Sequence, residues 1–206
     1  MSTIRVAAIA LCAVATTGCV RNMSLDEISA MRPVRAAEMN HLDLLVGDWE
    51  TRGHARFAGL EEVLEVTGTS SAAWADDERS HLVERSTTHI PGLKTLSGTM
   101  IWIWDPRANL FRIFRVDGYP ATGVGTARFD KDNQTWTMAV DAKLPQMDAV
   151  AKGRIQIVDQ NTLRWTWREW DSLGLVEIVD MKGVSRRKTP ASPTTKETDD
   201  PTPASE

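Results

Sequence analysis

Cysteine is scarce. The 206-residue chain has two, Cys12 and Cys19, and Cys12 lies in a leader that export would remove. One cysteine then remains, so no intramolecular disulfide can staple the mature chain. Long apolar runs are also missing. The longest, from Val6 to Ala15, is about half of the roughly 20 residues that a membrane-spanning helix needs. Positive charge is in deficit, with 24 Lys+Arg against 28 Asp+Glu and a formal net charge of −4. That balance gives no footprint for nucleic acid, and the one basic cluster, Arg186-Arg187-Lys188, is short. The last stretch, 188–206, has four prolines and no large apolar residue, so it cannot bury enough surface to offset its ordering entropy.

What is present begins with an address. Arg5 precedes the apolar run, and small residues lead through Thr16-Thr17-Gly18 into Cys19. This is the pattern of a bacterial lipoprotein export signal, in which the cysteine thiol is lipidated and becomes the mature N-terminus. Residues 1–18 are therefore read as a signal peptide, and Cys19 as a membrane anchor on the periplasmic face. Val20 stands where an aspartate would retain an enteric-type lipoprotein in the inner membrane, which favours the outer membrane.

Residues 19–46 read as an anchor segment with short helices. Ser24-Leu25-Asp26-Glu27 is a capping box, and Pro33 restricts the residue before it, so a first helix ends near Met31. A second is expected over 34–45, where Met39, Leu42, Leu45 and Val46 share one helical stripe and plug one end of the domain.

From Gly47 the helical period is lost. Strands are expected at 48–57, 62–69, 81–88, 96–104, 110–116, 122–129, 135–144, 149–158, 162–170 and 176–187. Turn chemistry separates them at Pro91-Gly92, Asp105-Pro106, Asp117-Gly118, Asp130 to Asn133 and Asp159 to Asn161. Roughly ten short strands joined by hairpin-length loops describe an antiparallel meander, and a long, twisted meander closes to remove its free edges. The expected fold is all-β, an up-and-down barrel over 47–187, with an open two-sheet sandwich as the alternative. Gly53, Gly68, Gly98, Gly123, Gly125 and Gly153 fall inside strands, where glycines mark tight bends of a barrel wall.

The segment His41-Leu42-Asp43-Leu44-Leu45-Val46-Gly47-Asp48-Trp49-Glu50 resembles the start of calycin-like barrels, in which a short helix leads into a Gly-x-Trp on the first strand. With Gly125 onward (GTARFDKDNQTWTM), it is also similar to a bacterial lipocalin-like family of exported proteins of unknown function. The resemblance implies that Gly47 and Trp49 close the barrel floor, with Trp49 packed under an arginine from the last strand, Arg186 or Arg187. It implies a fold and no activity. Haem-binding barrels of the nitrobindin type open with the same motif but use an inward histidine late in the chain, and none follows His89. No cofactor is expected.

Eight tryptophans stand against one tyrosine. Trp102 and Trp104 share one face of a strand, and Trp165 and Trp167 share a face of another. Facing inward, they would form an aromatic wall for a small apolar ligand, or else fill the barrel solid. One of Arg112 and Arg115 is expected to project into the lumen against a carboxylate or an acidic ligand group, and Arg112 is the named candidate. Along 99–104 both alternating sets are apolar, with Ile101 and Ile103 opposite Met100, Trp102 and Trp104. The outside of that strand is therefore expected to be covered, by the N-terminal helices or by a second copy or other protein partner.

Catalytic and metal constellations do not assemble. His81 and His89 lie roughly 26 Å apart along a strand, and His54 opposes Trp49 in parity. Gly-x-Ser-x-Gly is absent, and Ser185-Arg186-Arg187-Lys188 lacks the helix that would aim its lysine. Asp130 to Asn133 resembles a calcium-loop fragment without the glycine and glutamate that complete one. The chain thus reads as a binding module, or as a structural lipoprotein with a filled barrel, and not as an enzyme.

Overall fold

In the strand Thr135–Lys143, Trp136, Met138, Val140 and Ala142 are buried while Thr137, Ala139, Asp141 and Lys143 point to solvent. That two-residue period is repeated, less strictly, around a closed wall. A computed structural model describes Ser24 and residues 35–118 and 121–189. Its strands are β1 (Gly47–Phe57), β2 (Leu64–Trp74), β3 (Leu82–His89), β4 (Leu96–Asp105) and β5 (Leu110–Asp117), then β6 (Ala121–Asp130), β7 (Thr135–Lys143), β8 (Asp148–Asp159), β9 (Thr162–Asp171) and β10 (Glu177–Arg187). Each pairs antiparallel with its neighbour in sequence, and β10 returns to β1 to close the barrel. The seam runs from Trp49 opposite Arg187 to Phe57 opposite Val179, and the Thr51 and Ser185 hydroxyls share a hydrogen bond of 2.7 Å across it. The up-and-down barrel expected from the strand spacing is the observed fold, and the sandwich is not.

Aspartates at strand ends make the turns. Asp130 accepts the backbone N–H groups of Asp132 and Asn133 at 3.0 and 3.1 Å, and Asp105 accepts those of Arg107 and Ala108 at 3.1 Å each. In both hairpins a later residue, Gln134 (φ 48°) or Asn109 (φ 51°), takes the left-handed conformation that returns the chain to the sheet. Asp130 to Asn133 is thus a turn closed by its own side chains.

Two elements differ from expectation. β2 continues to Trp74, five residues past the expected end, because Ser70, Ala72 and Trp74 keep the inward parity although small and polar residues hide it. The helix expected over 34–45 is a 3-10 helix, Ala37–Leu44. Its buried residues Met39 and Leu42, with Leu45 just beyond, recur every three positions, which matches three residues per turn. The leader, Cys19, the helix expected from the Ser24 capping box and the tail from 190 lie outside the described residues. Among the described residues, no helix is long and apolar enough to cross a membrane.

Candidate functional site

The two ends of the barrel are built differently. At one end the 3-10 helix lowers Met39 and Leu42 into the core beside Trp49, Trp102 and Trp136. The Trp49 indole donates to the Leu45 carbonyl at 2.9 Å, and the Arg187 guanidinium lies 4.3 Å over the Trp49 ring. Arg187 also donates to the carbonyls of Val46 and, at 3.0 Å, Gln160, so one cation ties the last strand to the helix exit. Gly47 has φ +131° and its missing Cβ would fall on the Arg187 guanidinium, so the position excludes any side chain. The closing arginine is therefore Arg187, while Arg186 points to solvent. Asp43 accepts the Trp74 indole N–H at 2.9 Å, and His41 stacks on Phe129 at 4.7 Å. Burial, with Lys131 nearby, lowers the His41 pKa against the opposing pull of Glu38.

Behind this plug an aromatic cluster fills the lumen. Trp136 meets Trp102, Phe111 and Phe129 at 5.4, 5.0 and 4.9 Å, and Trp104 meets Phe111 edge-on at 4.9 Å. The lumen is solid here. Trp104 belongs to this floor and does not line the cavity beyond it. The reason is distance along the strand: two residues of β4 advance about 6.6 Å toward the plugged end.

Past Trp102 the barrel is hollow. A cavity of about 380 Å³ extends toward the opposite end, walled by Trp102, Met138, Trp165 and Trp167 and reaching Phe57, Ile90, Leu144 and Val179. A recess of about 180 Å³ adjoins it, sharing Thr51, Glu84, Ser86, Thr88 and Trp165. Trp165 and Trp167 lie on this wall because their register partners are Gly183 and Gly153. A Cβ there would come within 2.6 Å of the Trp165 ring and 2.7 Å of the Trp167 ring. Of the four tryptophans expected to wall a lumen, Trp102, Trp165 and Trp167 face the cavity.

The cavity also holds charge. Arg115 points inward and bonds Asp117 at 2.7 Å and Glu169 at 2.9 Å, with its guanidinium 4.8 Å over the Trp167 ring. Trp167 in turn donates to Glu169 at 2.7 Å. Burial raises the Asp117 pKa against the pull of Arg115, and the two carboxylates raise that of Arg115 despite its own burial. Arg112 does not enter the lumen: it lies on the outer face and pairs with Asp105 at 3.0 Å. Parity decides between the two arginines, since Phe111, Ile113 and Arg115 share a face and Phe111 and Ile113 are buried.

Glu84, like Glu169, is a residue that sequence reasoning missed altogether. It sits deep in the barrel, yet its carboxyl keeps surface toward the cavity. Burial raises its pKa, opposed by the Ser70 hydroxyl and the Trp102 indole. That indole N–H is fully buried and leans toward Glu84 without closing a hydrogen bond. Among the described residues no cation pairs with Glu84, and no group of three His, Cys, Asp or Glu side chains could hold a metal ion. Its signal was available, because Glu84 shares the inward parity of Leu82.

These features define a class: a closed ten-stranded antiparallel barrel, plugged at one end and hollow toward the other. The chain belongs to the DUF1579 family, described as a protein family of unknown function, whose model matches residues 35–187. Its fold is similar to that of Rv2717c from M. tuberculosis (TM-score 0.57, 14% identity, covering 75% of this chain and 99% of that one). It is also similar to the S-type phycobiliprotein lyase CPES from Guillardia theta (TM-score 0.52, 12% identity, covering 75% and 94%). At such identities the likeness is one of fold. Comparison with curated proteins gives no match.

Proposed function

We propose that this protein is a lipid-anchored, exported barrel that binds a small, mainly apolar molecule in the cavity beyond Trp102. The cavity itself carries this reading. Its volume of about 380 Å³ falls in the range of small-molecule sites, and its walls combine aromatic rings with a few convergent polar groups. Exposed Leu60, Leu93, Met147, Leu173 and Leu175 lie on loops at the cavity end, where an apolar ligand would enter. The pattern of residues 1–18 leading into Cys19 supports a periplasmic address, the membrane being reached through the lipidated cysteine.

Extraction from native membranes followed by mass spectrometry tests both parts. The expected species begins at a lipidated Cys19 and carries one non-covalent small molecule per chain. A chain that keeps Met1, or an unmodified Cys19, would overturn the address; a barrel that never retains a small molecule speaks against the binding role.

A second reading rests on the outer wall. The 3-10 helix packs on the plugged end and leaves the outer face of β4 uncovered, so that among the described residues Ile103, Phe114, Val116 and Val124 are 37, 41, 57 and 54% exposed. Ile101, Phe114 and Val124 are register partners across β4, β5 and β6 and form one apolar row. This face suits a second copy of the chain or another protein. Sedimentation at micromolar concentration, with Phe114→Glu as control, distinguishes a dimer from a monomer.

A further inference from the structure

We infer that the cavity takes an apolar molecule bearing one protonated nitrogen, with the nitrogen seated at Glu84 and the apolar body along Met138, Trp165 and Trp167. The inference rests on the ligand-binding reading and names the ligand's chemical class. It starts from the charges enclosed by the wall. Arg115 is the one cation facing this cavity among the described residues, and it is engaged by both Asp117 and Glu169 and stacked on Trp167. Glu84 is left without a cation. It stands on the row Glu84, Met100, Arg115 across β3, β4 and β5, so its Cα lies about 9.6 Å from that of Arg115, two strand spacings away.

The surroundings of Glu84 are those of a carboxylate that lacks one partner. The Ser70 hydroxyl favours its charged form, as does the buried Trp102 indole N–H, which has no hydrogen-bond partner of its own. Neither donor offsets the loss of water. A cation arriving beside Glu84 would favour its charged form, make it a stronger acceptor for the Trp102 N–H and leave the Arg115 pairs untouched. One strand pair further along, Ser86 and Asp117 converge over Gly98. A Cβ there would stand 3.2 and 2.8 Å from their oxygens, so further acceptors face the same space. A carboxylate ligand would meet three acidic groups against one arginine already paired twice. A neutral ligand would bring Glu84 no compensating charge.

Isothermal titration of the full chain with decylamine, decanol and decanoate at pH 7, each below its solubility or micelle limit, tests this. Wild type should bind the amine about tenfold or more tighter than the alcohol and the carboxylate weakest. Glu84→Gln should bring amine and alcohol to equal affinity, while Phe114→Glu on the outer wall should keep the wild-type amine preference. An amine that binds no tighter than the alcohol in wild type, or a preference that survives Glu84→Gln, overturns the inference and leaves the cavity as a general apolar site. If none of the three binds, the ligand-binding reading falls and this inference falls with it.

Discussion

Parity settles most of what individual residues do here, and position along the strand settles the rest. Arg115 and Arg112 differ by three residues, an odd number, so one must enter the lumen when the other leaves it. The buried Phe111 and Ile113 indicate which. Trp104 and Trp102 have the same parity but occupy different levels, one in the packed floor and one beneath the cavity. That distinction is invisible in the sequence, because alternation reports inside against outside and not height. Arg187 and Arg186 are separated by the parity that sets Arg187 opposite Trp49.

Glu84 supplies a pH test at this scale. Its folded pKa is raised above the ordinary 4.5, so between that value and the raised one the folded state holds a proton that the unfolded state has lost. Folding then takes up a proton, and stability falls as pH rises through this window. Glu84→Gln carries no charge and escapes the loss. The variant should gain on wild type as pH goes from 4 to 8, read from urea midpoints at each pH; a gap that stays constant or closes would contradict the assignment. Replacing Arg187 by alanine removes the ring contact with Trp49 and two hydrogen bonds. We expect a loss of about 1–3 kcal/mol with an unchanged denaturant slope.

Among elements, those bounded by turn residues were legible and those bounded by small polar residues were not. Asp105, Asp130 and Asp159 end strands where the sequence places them, since each side chain accepts the amides that its turn leaves free. β2 ran further than expected because Ser70 to Ala73 carry too little apolar contrast to display a period. The helical segment was recognisable as a plug from its apolar residues, yet its type depended on spacing. Met39, Leu42 and Leu45 suit a period of three, and so short a segment is held by its contacts with the barrel floor. Leu42 is fully buried there, so Leu42→Ala should destabilise by about 2–5 kcal/mol in thermal or urea unfolding. A change below about 0.5 kcal/mol, the size of an ordinary surface substitution, would mean that the helix is not a structural stopper.

For the whole molecule, closure followed from strand number and loop length, and the barrel has the expected ten strands. Where it is filled and where hollow did not follow, because that depends on which large side chains from different strands reach the same level. Trp102, Trp136, Phe111 and Phe129 converge beside the plug, while Gly153 and Gly183 let Trp167 and Trp165 lie against the wall and leave space between them. One end is thus filled with aromatic rings beneath the helix, and the other is hollow.

The hollow half is tested most directly by titrating the barrel with N-phenyl-1-naphthylamine, a largely apolar fluorescent probe, and following energy transfer from its tryptophans. Wild type should show saturable binding of one probe per chain, and Val179→Trp, which places an indole into the cavity, should weaken it about tenfold or more while the fold survives by circular dichroism. Binding that does not saturate, or that is unchanged when the cavity is filled, would contradict the account.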